Sequence, residues 1–335
     1  MAYLLGVDGG NSKTDYLLCR EDGSFVDILR HPTCSHEHVG VGYDGAQKKM
    51  QSHLNGLFAK NNITVKDISV AAFGLAGADL PNQHKELRQR IANIGFKTFD
   101  LGNDGILGVK AMSKSGVCAI NGSGAVVVGI DDTGTQLQVG GIGQLSGDYA
   151  GGNHIARSAV AAVYKHYFRI GPYSAAFPLI MDVFGINTPD DLPANVLSQN
   201  TLVWEKAKEI IDIVDNQAVA GDEVCKSILD CVGINCGEGV CGCIRNLSFT
   251  GSITVVKAGS IWTKLKYQGI SDSFESVIME NTEHGINPIL LDAPPALGAV
   301  FWAKEILSGS CDTRYQDDMR KFLTTETYEN LVKAE

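Results

Sequence analysis

A pattern of strand, glycine turn and strand occurs twice in this chain, once at the N-terminus and once from about residue 117. The first copy consists of the apolar segment Tyr3–Val7, the turn Asp8-Gly9-Gly10-Asn11-Ser12 and the segment Thr14–Cys19. The second copy consists of Val117–Ile120, the turn Asn121-Gly122-Ser123-Gly124 and Ala125–Ile130. A structural unit repeated at the head of each half predicts two domains of related fold. Two unrelated hairpins are the alternative.

Segments typical of strands and helices alternate after each copy, which predicts an α/β fold with mostly parallel sheets. In the first half, Ile68–Gly74 has the pattern of a buried strand, and Gln83–Ile94 has that of a helix. The repeat predicts a first domain over residues 1–115 and a second over 116–294, with a helical insertion at about 171–250. A C-terminal helical segment near 295–335 is expected to join the first domain. The length of 335 residues suits two domains rather than one.

The amino-acid composition limits which kinds of molecule the chain is expected to bind. The chain has 28 basic and 38 acidic residues, a formal net charge of −10. This balance disfavours binding to nucleic acids or to an anionic membrane surface. The sequence contains no run of about 18 apolar residues, so no membrane span is expected. Asp8 interrupts the apolar segment at the N-terminus, which therefore does not resemble a signal peptide. With nine cysteines, we therefore expect a cytoplasmic protein with free thiols.

Five of the cysteines lie between Cys225 and Cys243. Cys225, Cys236 and Cys243 fall on one stripe of a helix together with apolar residues, and that stripe predicts small buried side chains. A metal site is the alternative, but the region lacks the C-x₂-C pair typical of such sites.

The two glycine turns are candidate phosphate-binding elements. Glycines such as Gly9 and Gly10 in the first turn, and Gly122 and Gly124 in the second, leave backbone N–H groups open to phosphate oxygens. One turn in each domain could hold a polyphosphate from both sides. Neither has the G-x-x-x-x-G-K-[ST] spacing, and an ordinary tight turn remains the alternative for each.

Four aspartates lie where α/β proteins present functional side chains. Asp8 ends the first strand and Asp148 precedes a helix, and both carboxylates could hold Mg²⁺ through water. Asp104 lies between a short strand and a helix, where it could accept the proton of an attacking hydroxyl. A role in helix capping is the alternative for Asp104, and a plain position at a helix N-terminus, favoured by the helix dipole, is the alternative for Asp148. Asp79 ends a loop of short side chains that suits a polyhydroxylated ligand, and an ordinary turn is the alternative for this loop.

Six motifs in this order resemble those of the BadF/BadG/BcrA/BcrD ATPase family, in the actin/hexokinase/Hsp70 superfamily: DGGNSKTD, GLAGAD, GNDG, NGSG, GGIGQLSGD and KAGSIW. The sequence is most similar to the N-acetylglucosamine kinase branch, from residue 4 to about residue 307. The resemblance implies two ribonuclease-H-like (actin-like ATPase) domains with a cleft between them. It also implies that these domains close on ATP, Mg²⁺ and a sugar, and that the chain forms a homodimer.

The resemblance further implies roles for individual residues. Asp104 matches the general base, and Asp8 belongs to the first phosphate loop. The residues implied in binding the phosphates and adenosine of ATP are Gly9, Gly10, Asn11, Ser12, Lys13, Gly122, Ser123, Gly124, Gly259 and Ser260. The residues implied in binding the sugar are Ser35, His36, Gly77, Asp79, Asn103 and Asp148.

Three positions depart from the family pattern. Ser35 stands where the N-acetylglucosamine kinases have an asparagine, Ala125 where a serine or asparagine follows the second phosphate loop, and Tyr149 where a glutamate follows Gly-Asp. The phosphate motifs therefore match the family better than the sugar motifs do.

The resemblance implies an ATP-dependent kinase for N-acetylglucosamine, or for a close relative such as N-acetylmuramic acid or glucosamine, acting at the 6-hydroxyl. The alternatives are an ATPase activator of the 2-hydroxyacyl-CoA dehydratase type and a sugar sensor without catalytic activity.

Overall fold

The computed structural model describes residues 2–38, 40–198 and 200–333. These residues form two compact units. Unit 1 contains the described residues of Met1–Gly116, Val128–Gln136 and Leu291–Glu335, and unit 2 those of Val117–Val127 and Leu137–Leu290. Residues 128–136, which lie within the predicted second domain, thus cluster with unit 1, where the Ser115 hydroxyl donates to a carboxylate oxygen of Asp132 (2.5 Å).

Ten strands form two five-stranded sheets among the described residues. The first sheet contains β1 (Tyr3–Gly9), β2 (Lys13–Arg20), β3 (Phe25–Pro32), β4 (Ile68–Leu75) and β5 (Phe99–Gly102). The second contains β6 (Gly116–Asn121), β7 (Ala125–Ile130), β8 (Gln136–Val139), β9 (Ile253–Ala258) and β10 (Ile286–Leu290). The strand orders are β3-β2-β1-β4-β5 and β10-β9-β6-β7-β8. Counted along the chain, both sheets therefore have the same topology, and the predicted repeat of fold is confirmed.

Helices connect and cover the strands. In chain order they are α1 (Gly42–Lys60), α2 (Pro81–Ile94), α3 (Ile106–Met112), α4 (Gly152–Phe168), α5 (Ala176–Val183), α6 (Asn200–Glu205), α7 (Ala207–Val219), α8 (Glu223–Asn246), α9 (Ser260–Lys264), α10 (Gly269–Asn281), α11 (Pro295–Ser308), α12 (Thr313–Phe322) and α13 (Thr325–Lys333). Proline at the first position of α2 and of α11 suits a helix start, because its missing N–H would be unpaired there in any case.

Helix α11 packs tightly in unit 1, against β1 and α3. A Cβ atom on Gly298 would overlap the carbonyl oxygen of Leu107, and one on Gly6 would lie 2.8 Å from the carbonyl oxygen of Ala296. Only glycine permits this approach of helix to strand and of helix to helix. The contact holds α3, and with it the end of β5, in place.

Helix α8 packs in the core of unit 2 against α10. Cys225, Cys236 and Cys243 are at most 2% exposed, so the predicted buried stripe is confirmed. Cys241 is buried as well, whereas Cys231 is exposed. Within the described part of the chain, no group of three or more His, Cys, Asp or Glu residues could hold a metal ion.

Helix α8 is also long and apolar enough, by length and composition alone, to cross a membrane. No other helix of the described residues passes this test. Charged and polar residues interrupt its sequence, so it contains no continuous apolar run of about 18 residues. Because 56% of its most apolar window is buried in the protein, and a core helix passes the same test, the finding is weak evidence for a membrane span.

Candidate active site

The carboxyl ends of three neighbouring strands meet at one edge of the first sheet. β1 pairs parallel with β4, with Asp8 opposite Gly74, and β4 pairs parallel with β5, with Gly74 opposite Gly102. The backbone N–H of Ala76 donates to the carbonyl oxygen of Gly9 (2.7 Å), which joins the loop after β4 to the first glycine turn. The residues that follow these strands, Asp8, Asp79, Asn103 and Asp104 among them, therefore share this edge, as the strand pattern predicts.

Two carboxyl groups at this edge have raised pKa values. Burial, followed by the charges of Asp104 and Asp15, raises the pKa of Asp8 to about 7, although Lys13 and Arg30 oppose the rise. Burial, followed by the charge of Asp79, raises the pKa of Asp104 to about 6, against backbone hydrogen bonds that lower it. Raised carboxylate pKa values are typical of sites that take up a proton or bind a cation.

Asn103 links the loop that carries Asp79 to the turn that carries Asp104. Its side-chain nitrogen donates to a carboxylate oxygen of Asp79 (2.7 Å), and its side-chain oxygen accepts from the backbone N–H of Gly105 (2.8 Å). Because Asn103 is buried, these bonds fix both Asp79 and the turn that carries Asp104.

A loop after β3 lies beside the same edge. The Thr33 hydroxyl donates to the carbonyl oxygen of Gly10 (2.8 Å) and accepts from the backbone N–H of Ser35 (2.9 Å). Gly77 has a φ of +80°, and a Cβ atom there would lie 2.6 Å from the His36 ring. His36 stacks on Tyr43 with ring centroids 4.2 Å apart, and its Nδ1 is buried without a hydrogen-bond partner among the described residues. The structure thus brings Ser35, His36 and Gly77 to the edge that carries Asp79.

The first glycine turn is followed by a basic residue that an ion-pair network holds. Lys13 donates to a carboxylate oxygen of Asp15 (3.1 Å), and Asp15 lies opposite Arg30 in the β2–β3 pairing. The side chain of Lys13 is 44% exposed, and Asn11 and Ser12 are exposed as well. The turn therefore presents polar groups to solvent, and the ion pair with Asp15 orients the lysine that follows it.

The second glycine turn lies in unit 2, where the N-terminus of α4 packs against it. The backbone N–H groups of Gly152 and Asn153 donate to the carbonyl oxygens of Gly122 (2.8 Å) and Ser123 (2.9 Å). Gly151 has a φ of +86°, and a Cβ atom there would lie 2.7 Å from the backbone of Gly124. By contrast, no atom lies within 4 Å of a Cβ placed on Gly122 or Gly124, so the tip of the turn is open.

A pocket of about 360 Å³ in unit 2 joins this turn to the start of α9. Gly122, Ser123 and Ser260 line it, together with two lysines, Lys208 and Lys264. The structure therefore brings the second predicted phosphate element and the predicted adenosine element to one pocket.

The end of β6 supports the start of α9. Gly259, with a φ of +105°, packs directly on the backbone of Asn121. The side-chain amide of Asn121 is fully buried and makes no hydrogen bond within the described residues. Because a side chain at position 259 would overlap that backbone, only glycine permits this contact.

Asp148 stabilises the loop that precedes α4. One of its carboxylate oxygens accepts from the backbone N–H groups of Ile142 (2.9 Å) and Gly143 (2.6 Å), which closes the glycine-rich loop before α4. From α8, Asn235 donates to the carbonyl oxygen of Gly147 (2.8 Å) and accepts from the N–H of Tyr149 (3.0 Å). Asp148 and Asn235 line a second pocket of about 310 Å³. The predicted roles of Asp148 in sugar and Mg²⁺ binding stay predictions.

The predicted residues fall into two groups. Unit 1 contains Asp8, Gly9, Gly10, Asn11, Ser12, Lys13, Ser35, His36, Gly77, Asp79, Asn103 and Asp104, and unit 2 contains Gly122, Ser123, Gly124, Asp148, Gly259 and Ser260. Sequence reasoning missed Arg30, Asn235, Lys208 and Lys264. Only Arg30 had a usable signal, since a short hairpin between β2 and β3 places it near Asp15.

The carboxylates of unit 1 suit a hard cation. Asp8 offers carboxylate oxygens as ligands, and the charge of Asp104 adds to the negative potential around it. Mg²⁺ is usually held by one or two carboxylates together with water and substrate phosphates, so the donor set fits this ion.

The sequence matches the BadF/BadG/BcrA/BcrD ATPase family over residues 5–303. It is 24% identical over 238 residues to the N-acetyl-D-glucosamine kinase of Dictyostelium discoideum, covering 67% of this chain and 74% of that protein. It is 22% identical over 309 residues to the N-acetylmuramic acid/N-acetylglucosamine kinase of Clostridium acetobutylicum, covering 91% of this chain and 99% of that protein.

Among solved structures, the fold is similar to that of a proposed N-acetylglucosamine kinase from Chromobacterium violaceum. The TM-score is 0.61 and the identity 19%, covering 90% of this chain and 98% of that one. ROK-family structures, a hexokinase among them, match as well. These likenesses concern the fold alone, and they confirm the predicted α/β actin-like ATPase class.

Proposed function

Because the chain belongs to the BadF/BadG/BcrA/BcrD ATPase family, we propose that it is an ATP-dependent kinase whose acceptor is an amino sugar. The similarity to two kinases of N-acetylated amino sugars supports this class of acceptor. N-Acetylglucosamine is the first candidate, with N-acetylmuramic acid and glucosamine next, and the 6-hydroxyl is the proposed site of transfer.

The observation that carries the proposal is the position of Asp104. Its carboxylate lies at the carboxyl end of β5, next to Asn103 and Asp79, and burial raises its pKa to about 6. A carboxylate with a pKa close to the working pH is a better general base than an ordinary aspartate. Asp104 takes the proton of the sugar hydroxyl as that oxygen attacks the γ-phosphorus of ATP, and ADP leaves.

The acceptor site is assigned to the groups around Asp104. Asp79 and His36 offer a hydrogen-bond acceptor and a ring nitrogen, and Gly77 permits the close packing of its loop against His36. Sugar hydroxyls need several such polar partners, because an unpaired hydroxyl in a buried site loses its bonds to water. In the loop from Gly74 to Asp79, the carboxylate of Asp79 is the side chain that offers such a partner, since the residues before it are glycine or apolar.

Phosphate binding in unit 1 is assigned to the backbone of Gly9 and Gly10 and to Lys13, and nucleotide binding in unit 2 to the pocket lined by Ser123 and Ser260. Asp8 is the residue that would hold Mg²⁺. When bound, that ion neutralises phosphate charge and orients the transferred group. The protein itself contributes by positioning these groups and by excluding water, which limits transfer to water instead of sugar.

The alternative of a 2-hydroxyacyl-CoA dehydratase activator is less well supported. Such activators need cysteines that face a partner subunit around a shared cluster. Here Cys225, Cys236 and Cys243 face the core of unit 2. The proposal extends to a cytoplasmic homodimer without nucleic-acid or membrane partners, on the strength of the family resemblance and the charge of −10.

The test is ADP release with MgATP and a panel of N-acetylglucosamine, N-acetylmuramic acid, glucosamine, N-acetylmannosamine and glucose. We expect turnover with one or two amino sugars and a loss of about 10²- to 10⁴-fold in Asp104→Asn, the usual range for a general base. Asp182→Asn, which changes an exposed carboxylate on α5, is the matched control and should retain full activity. Activity within a few-fold of wild type in Asp104→Asn would remove Asp104 from the role of base.

A further inference from the structure

The last helix of the chain contacts the network behind the first glycine turn. Helix α13 begins at Thr325, beyond residue 303, where the family match ends. It packs against β3 in unit 1.

Tyr328 of α13 reaches the buried carboxylate that tethers Lys13. Its hydroxyl donates to Oδ2 of Asp15 (2.9 Å). Arg30 donates to the same carboxylate twice, from Nε to Oδ1 (2.6 Å) and from Nη2 to Oδ2 (2.8 Å). Lys13 adds a fourth and longer bond, from Nζ to Oδ2 (3.1 Å). Asp15 is 1% exposed, so protein donors take the place of water around it.

Glu329, the next residue of α13, holds Arg30 from the other side. Arg30 donates from Nη1 and Nη2 to the two carboxylate oxygens of Glu329 (3.0 and 3.1 Å). A guanidinium that grips two carboxylates in this forked manner is fixed in orientation. Glu329 thereby keeps Arg30 aimed at Asp15, and it also lies 3.9 Å from Nζ of Lys13.

Asp15 accepts hydrogen bonds from three side chains, and this division of its charge sets how strongly it attracts Lys13. Three of the four donated bonds come from Arg30 and Tyr328, and these compensate most of the charge of Asp15. Lys13 is therefore oriented by one long bond and keeps N–H donors for a ligand, in a side chain that is 44% exposed. Without the Tyr328 hydroxyl, Asp15 would be under-compensated and would compete with phosphate for Lys13.

We propose that Tyr328 is a positioning residue for Lys13 and that α13 is a functional part of the nucleotide site, although Tyr328 itself does not touch the nucleotide. The inference rests on the proposed function, because Lys13 must meet a phosphate group for its position to matter.

The experiment is a double-mutant cycle on ATP binding, measured by calorimetry on the full chain. Tyr328→Phe keeps the ring, which is 2% exposed and packs in the core, and removes only the hydroxyl. We expect Tyr328→Phe to raise the Kd for ATP about 3- to 10-fold. In a Lys13→Met background the same change should alter Kd less than about 2-fold, because the residue through which it acts is gone. The Kd for adenosine, which carries no phosphate, should stay unchanged.

Tyr315→Phe is the matched control. Tyr315 is a buried tyrosine of the neighbouring helix α12, and its hydroxyl has no hydrogen-bond partner among the described residues. Its replacement should leave the Kd for ATP unchanged.

An equal loss of ATP affinity from Tyr328→Phe with and without Lys13, or an equal loss for adenosine, would show a purely structural role and overturn the inference. An unchanged Kd for ATP in Tyr328→Phe would overturn it too. If the wild type binds no ATP, the proposed function itself fails.

Discussion

The ionised carboxylate of Asp104 is predicted to lower the free energy of unfolding. Its pKa is raised from 3.8 to about 6, first by burial and then by the charge of Asp79. Since one pKa unit is about 1.4 kcal/mol, two units correspond to about 3 kcal/mol of destabilisation when the group is ionised. Asp104 is half-buried, so we expect about half of this, roughly 1–2 kcal/mol, to appear in the free energy of unfolding.

The perturbation is Asp104→Asn, which keeps the shape and removes the charge. The folded pKa lies above the unfolded one, so the cost is absent below pH 3.8, grows between pH 3.8 and 6, and is complete above pH 6. At pH 7.5 the variant should therefore be more stable than wild type, with a thermal midpoint higher by about 2–6 °C. At pH 5 the difference should fall to about half.

The assay is thermal unfolding without ligands at both pH values, beside the ADP-release assay. Asp182→Asn, on an exposed carboxylate, should shift neither midpoint. A less stable Asp104→Asn at pH 7.5, or a difference that is the same at pH 5, would refute the argument that burial raises this pKa.

Three further predictions follow from packing and loop contacts. Gly298→Ala should lower the free energy of unfolding by about 2–4 kcal/mol in denaturant unfolding, because the new methyl group overlaps the carbonyl oxygen of Leu107; an unchanged midpoint would contradict the close approach of α11. A thiol reagent should label Cys231 rapidly and Cys236 only on unfolding, as followed by mass spectrometry; rapid labelling of Cys236 in the native protein would contradict the buried stripe. Asn235→Ala should raise the KM for sugar several-fold and leave the Kd for ATP unchanged, because it releases the loop that carries Asp148; a shift confined to ATP would contradict this assignment.

Much of the fold could be predicted from local patterns. The second copy of the repeat predicts a strand at Ala125–Ile130, which is the observed extent of β7. Apolar runs ended by glycine and aspartate predict strand ends, and parallel pairing then gathers Asp8 and Asp104 at one edge. Local sequence sufficed here because strand ends in α/β sheets converge regardless of the loops between them.

The contacts that local patterns could not predict join distant parts of the chain. Arg30 and Glu329 are 299 positions apart, and Asp15 and Tyr328 are 313 apart. No periodicity links such residues, since the contact depends on how α13 packs on β3. The hold of Asn235 on the loop before α4 is similar, because it depends on the packing of α8.

Phosphate transfer from ATP to an amino sugar is tested most directly by ³¹P NMR of a reaction with MgATP and N-acetylglucosamine. We predict that the wild type converts the γ-phosphate signal into that of a sugar phosphomonoester, in equal amount to the ADP formed, and that Asp104→Asn leaves ATP intact. Formation of inorganic phosphate alone, at a rate that no sugar of the panel changes, would contradict the account and identify an ATPase without a sugar acceptor.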